Sequence, residues 1–271
     1  MPRSLACVCG RFGLLSLLFL AAGKVCAAQA ASAPPDKNPP AVNGGRPTIA
    51  DPAALTAPGW LETEFGLQKD LERDRDFSTP LLLKLTDRSR RLEYRLAFDG
   101  YASLGEDGTD GFGNTSAALQ YLLAPQSRAG YDLAARAIVN FPTAGAGLGT
   151  KKLDFGALLL ASRDFSPWIH GDFNVGLFSL TRQDAPGTDT QLLLAASFSF
   201  PFKGGRWSYT NELAYASPLA GQRAQLTTIN GFTYAAHRYL VFDAALQWEL
   251  YGDGAVFQVL AGSTFFLGRL F

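Results

Sequence analysis

Residues 91–98 read Arg-Leu-Glu-Tyr-Arg-Leu-Ala-Phe, and polar and apolar side chains alternate along them almost without exception. An extended strand places such alternate residues on two opposite faces, whereas a helix would distribute both sets around its circumference. The apolar face would carry Leu92, Tyr94, Leu96 and Phe98. The stretch therefore predicts a β-strand with one apolar face and one charged face.

The same period of two continues from Trp60 to Phe271. It divides the chain into segments at approximately 60–69, 78–85, 91–99, 112–123, 131–142, 153–163, 168–180, 190–200, 207–217, 224–235, 239–250 and 255–271. A strand that crosses a bilayer needs about 9–11 residues, whereas strands of soluble proteins are commonest at about 5–6 residues. The lengths predict an all-β fold, an antiparallel transmembrane β-barrel of about 12 strands. An even strand number would place both chain ends in the periplasm.

Composition excludes several other classes. The 271 residues are 47% hydrophobic and 18% charged, with a formal net charge of +0. Because there is no basic excess, no nucleic-acid partner is expected. After the N-terminus no apolar run approaches the 18 residues of a helical membrane span. A soluble periplasmic β-domain remains the rival interpretation.

The N-terminal 58 residues predict two further regions. Residues 1–30 have a basic start, an apolar stretch at 12–22 and small residues near 25–30, which is typical of a secretory signal peptide. All three cysteines lie there, so the mature chain should contain no thiol or disulfide. Residues 31–58 contain seven of the fifteen prolines and are interpreted as a Pro-rich periplasmic linker. The alternative is a peptide that enters or caps a pore. Residues 59–271 would form the barrel, located in the bacterial outer membrane.

The polar faces of the predicted strands should line the lumen, because charged side chains at the bilayer midplane cost about 2–4 kcal/mol each. The predicted pore-lining residues are Glu62, Glu64, Lys84, Arg91, Glu93, Arg95, Asp132, Arg136, Asp154, His170, Asp172, Asn174, Glu212, Asp243, Gln247 and Glu249, and Asn230 is placed on the same face. Nine of these residues are acidic and four are basic. The imbalance predicts a mild preference for cations or neutral solutes. The equally weighted alternative is that acids and bases pair and hold the wall rigid.

Geometry limits what such a lumen could pass. Twelve strands about 4.8 Å apart and tilted by roughly 40° give a backbone diameter of about 24 Å. Side chains would reduce the opening to ~8–10 Å. That width admits small solutes, unless the charged residues themselves close it.

Catalytic and metal sites are poorly represented. His170 and Asp172 share a strand face and could form a base with its orienting partner, but no serine motif accompanies them. The two histidines lie far apart in sequence, and the mature chain should lack cysteine, so neither a metal site nor a cofactor is expected. The protein is therefore not expected to be an enzyme. A lipid-modifying outer-membrane enzyme or a structural barrel without an open pore are the alternatives.

Several motifs resemble a known family. The opening of the outer-membrane channel family named after the MetA pathway of phenol degradation is similar to residues 46–52 (Arg-Pro-Thr-Ile-Ala-Asp-Pro) followed by residues 57–66 (Ala-Pro-Gly-Trp-Leu-Glu-Thr-Glu-Phe-Gly). Residues 79–88 with 92–96, and 110–114 with 118–121, are similar to its second hairpin and fourth strand. The resemblance covers about residues 45–271 and departs at Gly45, where the family often has an acidic residue. It implies a transporter of small solutes, with a hint of aromatic or hydrophobic compounds, and it assigns no functional residues.

The last residue carries a further resemblance. A terminal aromatic such as Phe271 on a closing strand resembles the signal that outer-membrane proteins present to the barrel-assembly machinery. Arg269 departs from that pattern, because an apolar residue is more usual two positions before the end. The expected partners are thus outer-membrane lipids, small-molecule solutes and, through Phe271, the assembly machinery.

Overall fold

The computed structural model describes residues 39–72, 77–104, 109–145, 148–149, 152–182, 186–219, 222–252 and 256–271. The predicted signal peptide and residues 31–38 of the Pro-rich segment lie outside this range. No helix in the described part of the chain is both long enough and apolar enough to cross a membrane.

The described chain is almost entirely antiparallel β-sheet. The strands are β1 (Trp60–Asp70), β2 (Phe77–Ser78), β3 (Leu81–Thr86), β4 (Leu92–Phe98), β5 (Tyr101–Leu104), β6 (Thr109–Phe112), β7 (Thr115–Ala124), β8 (Asp132–Phe141), β9 (Asp154–Ser166), β10 (Ile169–Thr181), β11 (Thr188–Phe202), β12 (Trp207–Ala216), β13 (Gln225–His237), β14 (Leu240–Tyr251) and β15 (Phe257–Arg269). A four-residue helix, α1 (Gln126–Ala129), occupies the turn between β7 and β8. β15 pairs with β1 from Trp60↔Arg269 to Asp70↔Gln258, so the sheet closes on itself.

The fifteen strands make up twelve long strands of the barrel, because three long strands are each interrupted once, at neighbouring positions in the sheet. The breaks fall at Thr79–Pro80, Asp99–Gly100 and Gly113–Asn114, which are adjacent in the sheet. Pro80 has no N–H to donate to a ladder. Gly100 has φ +68°, and a Cβ there would lie 1.7 Å from the Thr79 carbonyl oxygen. Once β2 with β3, β4 with β5, and β6 with β7 are joined, the predicted twelve-stranded antiparallel barrel is confirmed.

The two faces of the wall differ as the alternation predicts. Leu92, Tyr94, Leu96 and Phe98 point outward on β4, whereas Glu93 and Arg95 are buried inside. Across the barrel, the apolar residues predicted to face lipid are exposed or half-buried on the outside. A closed sheet with an apolar outer surface satisfies its backbone hydrogen bonds internally, which is what a bilayer requires.

One residue departs from its predicted face. Glu212 and Ile229 are opposite each other and buried on the inner face, so their neighbours Asn211 and Asn230 point outward. The Asn211 side-chain amide donates to Asn230 Oδ1 at 2.9 Å, and the Tyr209 hydroxyl donates to the same oxygen at 2.5 Å. The prediction that Asn230 faces the lumen is therefore wrong. It was based on the polarity of the side chain, whereas the register of β13 determines which face the side chain lies on.

A lumen crossed by the N-terminal segment

Residues 42–56, which we call the lumenal segment, lie inside the barrel. The Val42 N–H donates to the Arg238 carbonyl in the β13–β14 turn, and the Thr56 N–H donates to Glu93 on β4. Between these points the segment bonds in turn to β1, β15, β12, β10 and β9. It therefore contacts the wall around most of the circumference and obstructs the lumen.

Four wall glutamates hold this segment through its backbone. Glu62 accepts the Asn43 N–H at 2.8 Å, Glu64 accepts that of Gly45 at 2.9 Å, and Glu93 accepts that of Thr56 at 2.7 Å. Glu212 accepts two N–H groups, from Ile49 at 2.9 Å and from Ala50 at 2.8 Å. Hydrogen bonds to a charged acceptor contribute about 1.5–3 kcal/mol each, so these carboxylates anchor the segment.

A second anchor is the side chain of Asp51. Its carboxylate lies between the guanidinium groups of Arg95, at 3.3 Å, and Arg136. Asn174 brackets the Asp51 backbone, accepting its N–H at 2.8 Å and donating to its carbonyl at 2.9 Å. This carboxylate brings together two buried arginines that would otherwise repel each other.

A third anchor is Arg46, which fits a notch between the two closing strands. Gly66 and Gly262 are opposite each other on β1 and β15, and a Cβ on either would lie 2.3–2.4 Å from the Arg46 side chain. The guanidinium donates to the Ala261 carbonyl at 3.0 Å and lies 3.4 Å from the Asp243 carboxylate. A Cβ at position 262 would also lie 2.5 Å from the Phe65 backbone oxygen, so glycine is required there, whereas a side chain at position 66 would displace the Arg46 guanidinium.

Apolar contacts complete the attachment. Ala53 is buried with Ile138, Leu158, Leu160 and Phe178, and Ile49 packs against the inner-face cluster that contains Ile229. Two inner-wall patches are thus apolar, unlike the wholly polar lumen that the sequence predicts. The lumenal segment covers both patches. The contact buries apolar surface of the wall and of the segment, which favours the docked position.

This location differs from the expected periplasmic tail for the residues that the structure describes. Proline keeps the segment out of the sheet ladders, but its remaining N–H groups still need acceptors. The wall carboxylates supply those acceptors inside the barrel. Residues 42–56 instead match the alternative interpretation of the sequence, a peptide that enters the pore.

Fifteen of the sixteen predicted pore-lining residues lie on the inner register of their strands, and Arg91 lies immediately before β4. Eleven are buried, and the five that are only partly buried are Arg91, Asp132, His170, Gln247 and Glu249. The acidic excess is largely engaged: Lys84 lies 2.6 Å from Glu62 and 2.5 Å from Glu64, and other carboxylates hold the lumenal segment. This arrangement agrees with the paired, rigid wall rather than with a free acidic filter. That these residues line a conducting path remains a prediction.

His170 does not have the contacts of a catalytic base. Its Nδ1 lies 2.7 Å from Asp164 and its Nε2 lies 3.2 Å from Asp172, so both ring nitrogens face carboxylates. The Ser162 hydroxyl donates to Asp172 at 2.5 Å and accepts the Ala53 N–H at 2.7 Å. This cluster therefore supports the lumenal segment. No group of three or more metal-ligating side chains occurs within the described ranges.

Sequence reasoning missed the half of the site that the lumenal segment supplies. Arg46 and Asp51 are the charged residues of residues 42–56 and lie within the motif that carries the family resemblance. Two opposite charges in a Pro-rich segment before a barrel were the available signal. Their partners, Asp243, Arg95 and Arg136, are far away in sequence, so no spacing rule could have connected them.

Comparisons with known proteins support the architecture. No protein-family model matches the sequence, and no curated protein matches it. The structure is similar to the crystal structure of an outer membrane channel from Pseudomonas putida F1, with a TM-score of 0.57 and 14% identity, over 79% of this chain and 98% of that one. A monoaromatic hydrocarbon channel, CymD, aligns with a TM-score of 0.46 and 12% identity, over 85% and 95% of the two chains. The likeness to the Pseudomonas putida structure shows that the chain has the fold of an outer-membrane β-barrel channel.

Proposed function

We propose that this protein is a bacterial outer-membrane channel for small solutes, whose lumen the lumenal segment closes in the conformation described here. The observation that carries the proposal is the combination of a closed barrel, apolar outside and polar inside, with a non-covalently held segment across its lumen. Barrels of this kind conduct along the inner surface. The likeness to the Pseudomonas putida channel supports the same function.

Opening requires the lumenal segment to shift. Every contact that holds it is a hydrogen bond, an ion pair or an apolar contact, and each has an aqueous alternative once solvent enters. Both ends of the segment lie at one end of the barrel, because Val42 meets the β13–β14 turn and residue 58 leads into β1. The segment can therefore move as a loop without breaking the wall.

Two finer features belong to the same proposal. The family resemblance suggests small aromatic or hydrophobic compounds as the solutes. Phe271 is the candidate contact for the assembly machinery: it lies beyond the end of β15, it is 37% exposed, and the Arg88 guanidinium lies 5.1 Å from the centre of its ring.

A tether tests whether the lumenal segment gates the lumen. Ala53 and Ser162 touch, since the Ala53 nitrogen lies 2.7 Å from Ser162 Oγ, so cysteines at both positions can be joined by a short bifunctional thiol reagent. The native cysteines fall in the predicted signal peptide and would not compete. Liposome swelling should be fast for the untreated double variant, slow after cross-linking and fast again after cleavage of the linker.

The single variants treated with the same reagent are the matched controls. Equal swelling with and without the cross-link would show that solutes do not pass where the lumenal segment lies. Swelling no faster than that of protein-free liposomes, in every state, would favour the structural barrel without an open pore. The many hydrogen bonds that hold the lumenal segment to the wall are the observation in favour of that second candidate.

A further inference from the structure

A cavity of about 200 Å³ lies between the lumenal segment and the wall formed by β10–β15. Six wall hydroxyls line it, from Ser197, Ser199, Ser208, Thr210, Thr233 and Thr264. At about 30 Å³ for each water in the liquid, it has room for roughly seven water-sized groups.

Three of these hydroxyls have no partner. Ser197, Thr233 and Thr264 make no side-chain hydrogen bond to any described residue, whereas Ser199 and Thr210 bond each other at 2.9 Å. Ser197 is 1% exposed and Thr264 is 2% exposed, so bulk solvent hardly reaches them. Thr233 is only partly buried. Buried hydroxyls nearly always have partners, so Ser197 and Thr264 point to groups held in the cavity.

The charges that border the cavity are paired. Asp172 accepts from Ser162 and faces His170, and Arg46 lies beside Asp243 and donates from Nη2 to the Ala261 carbonyl, while its Nε–H has no partner among the described residues and could donate to a bound hydroxyl. An ionic solute would find no free counter-charge there and would lose its hydration. A neutral molecule with several hydroxyl groups can both donate to and accept from serine and threonine.

We propose that this cavity is a binding site for a small neutral polyol, positioned on the solute path beside the lumenal segment. The inference rests on the proposed channel and names a neutral, hydroxylated solute for that path, which this lining favours over the aromatic or hydrophobic compounds that the family resemblance suggests. Gly44 forms part of the covering wall: a Cβ there would lie 2.7 Å from Thr264 Oγ1, so a glycine keeps this edge of the site open. A solute bound there touches the segment that must move.

The test is whether meso-erythritol, a four-carbon tetrol, binds the full-length barrel in detergent. Saturation-transfer NMR and equilibrium dialysis measure this binding. The double variant Thr233→Val/Thr264→Val preserves side-chain shape and removes two unpartnered hydroxyls. It should weaken binding by roughly 4- to 100-fold, since each of the two hydrogen bonds contributes a factor of roughly 2 to 10. Ser197→Leu, which fills the cavity, should abolish binding. Thr190→Val, at an exposed position on β11, is the matched control.

Succinate and putrescine serve as charged probes of similar length. The proposal is overturned if erythritol does not bind the unmodified protein, if the threonine double variant binds it equally well, or if either ion binds as tightly. The binding assay needs no conduction, so the two proposals fail separately. A barrel that binds erythritol but swells no liposomes contradicts the channel, and a barrel that passes solutes but binds no erythritol contradicts only this site.

Discussion

Replacing Glu212 by Gln should release the lumenal segment more than any other single change of charge in the wall. The carboxylate accepts two backbone N–H groups at 2.9 and 2.8 Å and is buried on β12. Glutamine offers one neutral oxygen, and its NH₂ group would face the second N–H. The exchange replaces two charge-assisted bonds, about 1.5–3 kcal/mol each, by one neutral bond of about 1 kcal/mol. The docked state is then weakened by ~2–5 kcal/mol.

Because each 1.4 kcal/mol is a factor of about ten, the ratio of released to docked segments should rise by roughly 30-fold or more. Single-channel recording in planar bilayers would measure this ratio as open probability. Asp132→Asn is the matched control, since Asp132 is also an inner-face carboxylate but bonds to Gln126 rather than to the segment. An open probability that is the same in both variants would refute the anchoring role of Glu212.

Three further changes follow from the other contacts. Gly66→Leu should expel the Arg46 side chain, because a Cβ there would lie 2.3 Å from Arg46 Nη1, and should accelerate liposome swelling; an unchanged rate contradicts the notch. Asp51→Asn removes the carboxylate between two lumenal arginines, so the reversal potential in a KCl gradient should shift toward anions, and no shift would count against that ion-pair cluster. Replacing Asn211 and Asn230 by Leu, singly and together, should give a coupling free energy of about 0.6 kcal/mol in detergent unfolding, and none would contradict their outward pairing.

The barrel itself could be predicted from the sequence because alternation is a local property. Each strand in contact with lipid must have an apolar face, so the period of two survives in every segment. The strand interruptions at Pro80 and Gly100 were harder to predict from the sequence than the strands themselves. They depend on three neighbouring strands that bend together, which no single strand reveals.

Asn230 shows where local pattern is insufficient. Its polarity favours the lumen, but the pairing of Glu212 with Ile229 fixes the register and turns Asn230 outward. A partner on the adjacent strand then satisfies its amide. Whether a polar residue faces water or lipid therefore depends on pairing between strands as well as on its own chemistry.

The sequence by itself predicted the strand number, the two faces of the wall and the inner placement of most of its charges, although not that of Asp70, which is buried at the end of β1. Only the tertiary structure decided what those charges do. The sequence shows that residues 42–56 are unable to join the sheet. Their hydrogen-bond acceptors, however, lie on strands as distant as β12, and only the closed barrel brings the segment and these acceptors together. Hydrogen bonds between residues 162 or more positions apart produce no repeating pattern in the sequence. The presence of residues 42–56 in the lumen could therefore be seen only in the tertiary structure.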